Sequence, residues 1–411
     1  MNRRISKTIF HLCLVGLAAS PAAALQIGAW VGSASDTSKE SISGYYPQPT
    51  KANVDAFIQL QGRKVEYVEY YAIWPATWST VKSYADVAYN AGATLFVTWQ
   101  PNGYTAPDIN SGKADAYITK FANDMKGYSH EVWLRPLHEA NGGDWYSWAV
   151  GNSSMANTDE NVAQAFQHIV TLFKNAGVTN VKWVWTTNGQ NMTTGNPTSF
   201  DGTYPGDDYC DYISIDAYNF GTFHTVAVDG WASTWQTFVQ TIKPAYTALA
   251  GINKPIFVAE FSSSEKGGDK AKWYKDAFAS LATTFPRIFA LMIFNNNDAN
   301  GDWRVNTSAA SLQAWKECVA QYASTSGVQS KFSSTATGLR ATTKGVSFVL
   351  QQASPTRLEV RTLDGKTVES RNLGRLPTGS HEVSLSPSAR TTLVRMVTTD
   401  GTETLLRGAN F

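Results

Sequence analysis

The sequence has little cysteine, almost no net charge and almost no long apolar runs. Of its 411 residues only three are cysteine, and the formal charge is +1. So few cysteines exclude a small disulfide-stabilised scaffold, and a chain this long can bury a core without cross-links. Near-neutrality also excludes the basic face that nucleic-acid binding requires. We therefore expect no nucleic-acid partner.

The one pronounced apolar segment lies at the start of the chain. Arg3, Arg4 and Lys7 precede an apolar run over Ile9–Ala19, and small residues follow up to Ala24. The run is too short to span a bilayer. A basic start, an apolar centre and small residues are typical of an export signal. We expect a signal peptide over residues 1–24, cleaved near Ala24, and a secreted mature chain without a membrane segment.

Removal of this signal leaves two cysteines. The formal charge changes from +1 to about −2, and only Cys210 and Cys318 remain. An oxidising compartment permits a disulfide between them. Two buried, unpaired thiols are the alternative, and the sequence leaves both open.

Motifs that bind nucleotides or catalytic metals are also missing. Neither a G-x-G-x-x-G motif nor a P-loop occurs, which disfavours an open, doubly wound nucleotide-binding sheet. His138 and Glu139 are adjacent, but no second His follows at the spacing of a zinc protease. We therefore expect neither a cofactor nor a metal.

Short apolar runs alternate with amphipathic stretches through the first three quarters of the chain. Most runs have the near-continuous hydrophobicity of parallel strands that are covered on both faces. The runs are Ile27–Ala34, Val65–Trp74, Thr94–Pro101, Val132–His138, Val181–Asn188, Tyr212–Asn219, Pro255–Phe261 and Ile288–Asn295. Helix candidates between them include Asn53–Leu60, Ala114–Met125, Glu160–Ala176, Trp231–Leu249 and Ala271–Phe285. Eight such units predict an α/β fold, a (β/α)8 TIM barrel over residues 25–324.

The composition changes after Ser324. Residues 325–345 are rich in Ser, Thr, Gly and Ala, which predicts a linker. Residues 346–411 alternate with a period of two, and Asp364-Gly365 and Asp400-Gly401 fit hairpin turns. We expect a small C-terminal antiparallel β-sandwich there, as an accessory domain. Its scarcity of Trp and Tyr argues against a carbohydrate-binding role.

Two glutamates stand at the ends of apolar runs. Glu139 follows the fourth run and Glu260 lies near the end of the seventh. Catalytic side chains of (β/α)8 enzymes project from these strand ends, and an unpaired carboxylate is costly to bury elsewhere in the barrel. Two carboxylates across a barrel mouth fit glycosidic hydrolysis, and a separation of about 5–5.5 Å gives retention of configuration. We interpret Glu69 and Asp216 as structural or substrate-binding acids.

Aromatic residues are numerous, with 14 Trp and 18 Tyr. Many fall at strand ends or in loops, where flat rings can stack on sugars, although large cores also use aromatic residues. Trp74 and Trp99 close the second and third runs. Either sugar stacking or packing at the barrel rim fits these two.

Four segments resemble glycoside hydrolase family 26, whose members are clan A (β/α)8 barrels. The segments are Arg135–Gly143, Tyr212–Asn219, Val258–Phe261 and Asp302–Ser308. The resemblance extends from about Ile27 to Tyr322. It implies a retaining endo-glycosidase that acts on a plant-type β-glycan polysaccharide without a cofactor, and we expect a monomer.

The resemblance also implies roles for individual residues. Glu139 would be the general acid/base and Glu260 the nucleophile. His138 would orient the region of the acid/base, Arg135 would lie beneath it, and Tyr218 would contact the nucleophile. The other substrate-binding candidates are Trp145, Trp303, Arg304, Trp99, Gln100 and Trp74.

One position departs from the family pattern. Several family mannanases carry a His after the Trp that ends strand three, whereas Gln100 follows Trp99 here. Glutamine donates and accepts hydrogen bonds but carries no charge. The resemblance implies an endo-β-1,4-mannanase first. A β-1,3-1,4-glucanase (lichenase), a β-1,3-xylanase and a non-catalytic glycan-binding barrel are the alternatives.

Overall fold

The computed structural model divides the chain into two compact units, Met1–Ala323 and Ser324–Phe411. In the first unit it describes residues 25–31, 49–190 and 199–322. In the second unit it describes residues 336–342, 345–350, 354–362, 367–385, 392–398 and 403–409. The predicted signal peptide lies outside the described residues.

The first unit is built on a closed barrel of eight parallel strands. They are β1 (Gln26–Val31), β2 (Tyr67–Ile73), β3 (Thr94–Gln100), β4 (Val132–Pro136), β5 (Val181–Asn188), β6 (Tyr212–Asn219), β7 (Ile256–Ser263) and β8 (Ile288–Asn295). Each strand pairs with the next along the chain, and β8 pairs with β1. Each predicted apolar run overlaps one strand, so the predicted (β/α)8 barrel is confirmed.

Helices connect the strands. They are α1 (Lys51–Gln61), α2 (Trp78–Asn90), α3 (Ala106–Asn110), α4 (Asp115–Met125), α5 (Asp159–Ala176), α6 (Val226–Asp229), α7 (Phe238–Ala248), α8 (Lys270–Thr283) and α9 (Ala309–Gln321). None of these described helices has the length and apolar character needed to cross a membrane.

Helix α7 begins later than the predicted stretch Trp231–Leu249. Thr237 accepts a hydrogen bond from the backbone N–H of Gln240, and the Gln240 side chain accepts one from the backbone N–H of Thr237. This reciprocal capping box fixes the start of a helix. Trp231 therefore lies in the segment that connects β6 to α7, just after the one-turn helix α6.

Two apolar layers surround the strands. The larger layer lies between strands and helices and includes Val68, Ala72 and Val97. The residues that alternate with these fill the barrel interior: Tyr67, Phe96, Trp133, Val184, Phe257, Ala259, Ala290 and Met292. The interior is so tightly packed that a Cβ on Gly28 would lie 2.8 Å from the Met292 side chain.

Cys210 and Cys318, the two cysteines among the described residues, are buried and free. The structure thus has the second of the two arrangements left open by the sequence. Burial raises the pKa of the Cys210 thiol to about 12 and that of the Cys318 thiol to about 11. Because the thiolate is the reactive form, both side chains act as small apolar core residues at neutral pH.

The described strands of the second unit form two antiparallel sheets. Two short strands that precede them in the chain, β9 (Asn297–Asp298) and β10 (Gly301–Asp302), pair in the barrel loop after β8. One sheet of the second unit has the order β11 (Ala336–Thr342), β12 (Gly345–Leu350), β15 (Gly379–Ser384). The other has the order β14 (Thr367–Leu376), β13 (Ser354–Thr362), β16 (Thr392–Thr398), β17 (Glu403–Ala409).

The two sheets share one apolar core, as the predicted sandwich requires. Val346 and Phe348 of β12 pack in the same cluster as Leu358 and Val360 of β13. The predicted linker over residues 325–345 was too long, because β11 forms inside it. Backbone pairing of β11 with β12 needs no apolar pattern, so the polar composition hid this strand. The predicted turns at Asp364-Gly365 and Asp400-Gly401 lie outside the described residues.

Candidate active site

Glu139 lies in a tight turn that follows β4. Leu137 and Glu139 have φ angles of 54° and 51°, in the left-handed region that non-glycine residues seldom adopt. The turn is closed by a hydrogen bond of 2.8 Å from the backbone N–H of Gly142 to the carbonyl of Glu139. Such backbone strain persists where the surrounding structure enforces it, often at functional sites. The strained turn places the Glu139 side chain at the barrel mouth.

Glu260 reaches the same mouth from β7 through a β-bulge. Ile215 of β6 pairs with Val258, but the next residue, Asp216, pairs with Glu260, so the register shifts at Ala259. Bulges re-aim the side chains that follow them. Glu260 is therefore level with Asp216 on the neighbouring strand. Both candidate catalytic groups are nearly buried, with exposed fractions of 8% for Glu139 and 6% for Glu260.

Arg135, at the end of β4, binds carboxylates from three other strands. Its Nη1 donates to Asp216 Oδ2 at 2.7 Å, and its Nη2 donates to Glu69 Oε1 at 2.6 Å and to Glu260 Oε1. Its Nε donates to Thr98 Oγ1 at 2.9 Å. Arg135 is fully buried, so these bonds compensate for the desolvation of its charge. Arg135 thus lies beneath the site, as the sequence analysis predicted.

One guanidinium cannot neutralise three buried carboxylates. Burial raises the pKa of Glu69 to about 8 despite the opposing effect of Arg135, and the charge of Glu260 raises it further. Burial likewise raises the pKa of Asp216 well above its usual range. Burial therefore opposes the ionisation of both acids, while Arg135 favours it. Through their hydrogen bonds, Glu69 and Asp216 hold Arg135 in place beneath the site.

Tyr218 of β6 contacts the second oxygen of Glu260. Its hydroxyl donates to Glu260 Oε2 at 2.7 Å. Burial and the charge of Glu260 raise the pKa of Tyr218 well above its usual range, so the phenol keeps its proton and remains a donor. With Arg135 on the other oxygen, both oxygens of Glu260 accept hydrogen bonds. Donors of this kind stabilise a carboxylate.

Glu139 has the opposite environment. Burial raises its pKa to about 8, and the charge of Glu260 raises it as well. The side chain of Asn188, the last residue of β5, donates to Glu139 Oε1 at 2.9 Å, and the nearby Trp145 side chain also acts to lower this pKa. Glu139 is therefore protonated at neutral pH. The charge of Glu260 is thus near enough to act on Glu139 at the barrel mouth.

His138 anchors the turn that carries Glu139. Its Nε2 lies 2.9 Å from the hydroxyl of Tyr146, and its backbone carbonyl accepts a hydrogen bond of 2.9 Å from the indole of Trp148. Burial, followed by the charge of Arg135, holds the pKa of His138 well below its usual value. The imidazole is therefore neutral. Its contacts hold the backbone of the turn that carries Glu139.

Two glycines allow Trp145 to approach Glu139. A Cβ on Gly142 would lie 2.5 Å from Trp145 Cζ2, and a Cβ on Gly143 would lie 2.4 Å from Trp145 Cζ3. Any larger residue would displace the ring. Trp145 nevertheless stays 46% exposed, so it offers indole surface to a ligand beside the acid.

The loop after β8 places Trp303 next to Tyr218. This buried ring lies 4.9 Å from the ring of Tyr218, and its indole donates to Asp298 Oδ1 at 3.1 Å. Arg304 pairs with Asp302 in the same loop, at 2.6 Å from Nη2 to Oδ2. Trp303 thus lies beside the site as predicted, while the guanidinium of Arg304 is engaged within the loop.

Buried side chains hold the backbone around Trp303. Ser262 Oγ donates to the Trp303 carbonyl at 2.6 Å, and Lys270 Nζ donates to the carbonyls of Arg304 at 2.8 Å and Asp302 at 3.3 Å. Lys270 is fully buried, and burial lowers its pKa to about 7. Three consecutive carbonyls are therefore fixed by side chains of β7 and α8.

Comparison with known proteins agrees with this geometry. Residues 108–279 match the family model of glycosyl hydrolase family 26. The chain belongs to this family. The matched segment includes Glu139 and Glu260, and among the residues that the structure describes no group of three or more His, Cys, Asp or Glu is arranged to hold a metal.

Two curated proteins are similar to parts of the chain. A protein named Endoglucanase H from Acetivibrio thermocellus is 48% identical over 295 residues, which are 72% of this chain and 30% of that protein. A Mannan endo-1,4-beta-mannosidase from Bifidobacterium adolescentis is 25% identical over 200 residues, 45% of this chain and 19% of that protein. The chain spans less than a third of the length of either relative.

Solved structures of the family share the fold. A GH26 beta-mannanase from Bacteroides ovatus has a TM-score of 0.51 at 12% identity and covers 73% of this chain and 89% of its own. GH26C from a Muricauda species has a TM-score of 0.51 at 16% identity and covers 73% of this chain and 86% of its own. At such low identities the likeness shows the fold alone.

Trp99 and Gln100, the last two residues of β3, have different surroundings. Thr98 reaches Arg135, so the period of two directs Trp99 to the outer face. Trp99 is fully buried against Phe121 of α4, at 4.7 Å between ring centroids, and its indole donates to Tyr117 at 3.2 Å. Trp99 is therefore a core residue, and its predicted substrate-binding role was wrong.

Gln100 and Trp74 remain candidates for substrate contacts. The backbone N–H of Trp74 donates to the carbonyl of Gln100 at 2.9 Å. Both side chains are almost fully buried, and among the described residues neither Gln100 Oε1 nor Trp74 Nε1 has a hydrogen-bond partner. A buried acceptor and a buried donor are thus available to a polar ligand.

Sequence reasoning missed Asn188, which bonds the acid directly. Asn141 fixes this residue, because Asn141 Oδ1 accepts from the Asn188 backbone N–H at 2.7 Å, and Asn141 Nδ2 donates to the Asn188 carbonyl at 3.2 Å. Asn188 ends the fifth apolar run. The rule that identified the two glutamates, a polar residue at a strand end, also applies to it.

Proposed function

We propose that the barrel is a retaining endo-glycosidase that cleaves a β-linked glucan by double displacement. The observation that carries the proposal is that two buried glutamates at the barrel mouth have different hydrogen-bond partners, a guanidinium and a phenol on Glu260 and an amide on Glu139. Burial and the Glu260 charge raise the pKa of Glu139 to about 8, while Arg135 and Tyr218 hydrogen-bond the carboxylate of Glu260. An acid that protonates the leaving oxygen and a carboxylate that attacks the anomeric carbon are what this reaction needs.

The first step forms a covalent intermediate. Glu260 attacks the anomeric carbon, the bond to the glycosidic oxygen breaks, and Glu139 gives its proton to that oxygen. Glu260 becomes an ester and loses its negative charge. Since that charge raises the pKa of Glu139, the pKa of Glu139 falls once the ester forms. Glu139 then acts as the base that takes a proton from water, and the water hydrolyses the ester.

The choice of glucan follows from the relatives and from Gln100. The resemblance of the sequence to the family implied mannan as the first substrate. However, the relative that is 48% identical is named an endoglucanase, and the relative named a mannosidase is only 25% identical. Gln100 replaces the His of family mannanases, and its buried Oε1 suits a neutral hydroxyl donor. We therefore place glucan first, with mixed-linkage β-1,3-1,4-glucan as the candidate polymer. Mannan is the second candidate because of the Bifidobacterium relative.

A polysaccharide panel tests the proposal. The purified full chain is incubated with mixed-linkage glucan, carboxymethyl cellulose, glucomannan, galactomannan and β-1,3-xylan, and the release of reducing ends is measured. We expect the highest rate on mixed-linkage glucan and none from the Glu260→Ala control. A highest rate on galactomannan would move the assignment to mannan. No release from any polymer would contradict the enzymatic function.

Azide tests the two roles separately. Glu260→Ala should abolish the covalent intermediate, and azide should restore turnover of an activated glycoside with inverted product. Glu139→Ala should lower turnover by several orders of magnitude, least for substrates with good leaving groups. A variant that degrades its polymer at the wild-type rate would contradict the role assigned to the substituted residue.

We also propose that the chain is exported and that its mature form is a monomer. The support for export is the basic and apolar start of the sequence. Expression of the full chain should yield protein in the medium whose first residue is near Leu25. Light scattering during gel filtration should give a monomer mass.

A further inference from the structure

An apolar group of side chains is exposed in the loop between β6 and α7. Val226, Val228 and Trp231 have exposed fractions of 67%, 83% and 42%. Val226 and Val228 lie in the one-turn helix α6, and Trp231 follows it. We call these three residues the β6 loop patch.

The loop holds Trp231 in one orientation. The ring stacks on the buried imidazole of His224, with centroids 4.2 Å apart and an angle of 26° between planes. His224 and Ser233 exchange two hydrogen bonds of 3.1 Å, and Asp229 accepts one of 2.8 Å from the backbone N–H of Thr225. Since His224 covers one face of the indole, the exposed area belongs to the rest of the ring. A fixed, half-exposed ring binds a flat ligand at low entropic cost.

The patch continues into the wall of the active site. Trp231 contacts Phe220 at 5.9 Å between ring centroids, and Phe220 contacts Trp303 at 5.3 Å. Trp303 in turn contacts Tyr218, whose hydroxyl bonds Glu260. The aromatic side chains therefore form an unbroken series from the nucleophile to the surface at the barrel mouth.

We propose that Trp231 is a stacking platform for a sugar ring of the substrate chain, at a subsite beyond those next to the scissile bond. The inference rests on the proposed function, because a polymeric glycan extends from the cleavage point along the barrel mouth. Aromatic rings that are apolar on their faces and polar at one edge fit the faces of pyranose rings.

A protein partner does not fit the patch as well. A stable interface buries about 800 Å² on each side, far more than three side chains supply. The patch also lies in line with the aromatic series that leads to Glu260, which a substrate explains and a second copy of the chain does not. A sugar of the polymer is therefore the occupant that we assign.

Affinity electrophoresis tests this assignment without turnover. The full chain carrying Glu260→Ala is run through native gels that contain mixed-linkage glucan or glucomannan, with and without Trp231→Ala. Tyr89→Ala is the matched control, because Tyr89 is also an exposed ring, 52% accessible, stacked on a histidine at 3.5 Å. Tyr89 lies near the end of α2, at the opposite end of the barrel from the catalytic mouth.

We expect Trp231→Ala to weaken retention by the polymer about tenfold, a change of about 1.4 kcal/mol, and Trp231→Phe to keep part of it. In the active chain, Trp231→Ala should raise KM for the polymer far more than for an aryl disaccharide. Equal retention of parent and Trp231→Ala, no retention of either, or an equal loss in Tyr89→Ala would overturn the inference. Trp231-dependent retention by a wild-type chain that cleaves no polymer would instead contradict the proposed function alone.

Discussion

Glu139 and Glu260 have nearly the same side-chain exposure but different neighbours. Glu260 accepts hydrogen bonds from a guanidinium and a phenol, whereas an amide and an indole contact Glu139. Neutral donors stabilise an anion less than a cation does. The hydrogen bond from Arg135 is thus the main chemical difference between the proposed nucleophile, Glu260, and the proposed acid, Glu139.

The protonation of Glu139 predicts the alkaline limit of activity. Burial and the charge of Glu260 raise its pKa to about 8, and the acid must be protonated to assist the leaving group. We expect kcat/KM on the polymer to fall as the pH rises through about 8, since kcat/KM reports groups of the free enzyme.

A variant with a matched substrate checks this assignment. Glu139→Gln should lack the alkaline limb that the wild type shows on the same aryl glycoside, because glutamine does not titrate. An unchanged limb in Glu139→Gln would assign it to another group, of which Glu69 is the nearest candidate because its pKa is also raised to about 8.

Position relative to a strand end explains which residues the sequence revealed. Glu139, Glu260, Arg135 and Tyr218 all stand at or near the ends of apolar runs, where function alone favours charged or polar groups. Lys270 gave no such signal, because it lies in the first turn of a helix and reaches carbonyls of a distant loop. Its role depends on tertiary contacts that spacing does not encode.

At the scale of elements, the loops after β4 and β8 shape the site around rigid strands. The β4 loop depends on Gly142 and Gly143, whose missing side chains leave room for Trp145. The β8 loop depends on bonds from Ser262 and Lys270 to consecutive carbonyls. Each loop places one indole beside the site, Trp145 half-exposed and Trp303 buried.

Gly143→Ala tests the β4 loop. Its Cβ would lie 2.4 Å from the Trp145 ring, so the ring must move away from Glu139. We expect kcat/KM to fall about tenfold or more, equivalent to about 1.4 kcal/mol, with a Tm close to that of the wild type. Gly127→Ala is the control, because no atom lies within 4 Å of its Cβ position. Equal activity of both variants would show that the position of Trp145 does not matter.

Lys270→Met tests the β8 loop through the pH dependence of stability. Burial lowers the pKa of Lys270 from 10.5 to about 7, so between these values the unfolded chain holds a proton that the folded chain has released. By linkage, this group makes the free energy of unfolding rise with pH across that window. The variant should lose that rise, which denaturant unfolding at several pH values measures. An identical slope in the variant would mean that Lys270 is not titrated in the fold.

The strands were easier to predict than the helix starts. Each barrel strand is covered on both faces, which leaves a continuous apolar run in the sequence. The start of α7 depends instead on the Thr237 cap. The apolar side chain of Trp231 led to the incorrect prediction of an earlier start. Strand β11 escaped notice because backbone pairing alone defines it.

At the scale of the whole molecule, the chain consists of two units with separate cores. The barrel core and the sandwich core share no residue, and the division at Ala323 nearly coincides with the predicted change in composition at Ser324. The composition indicated this boundary because sequences rich in Ser and Thr seldom supply core residues.

Removal of the second unit should leave the chemistry intact. A chain that ends at Ala323 keeps all residues of the candidate site, so we expect wild-type kcat/KM on soluble glucan. Activity on soluble polymer and thermal unfolding of the truncated chain are the measurements. Loss of activity with loss of folding would show that the barrel needs the sandwich for stability.

The stereochemistry of hydrolysis tests the double displacement most directly. The wild-type chain is mixed with a β-linked oligosaccharide in the NMR tube, and the anomeric proton of the first product is followed before mutarotation. We predict that the β-anomer appears first, because attack by Glu260 and then by water inverts the anomeric carbon twice. Initial appearance of the α-anomer would contradict the account, since it would require direct attack by water and would leave Glu260 without its role as nucleophile.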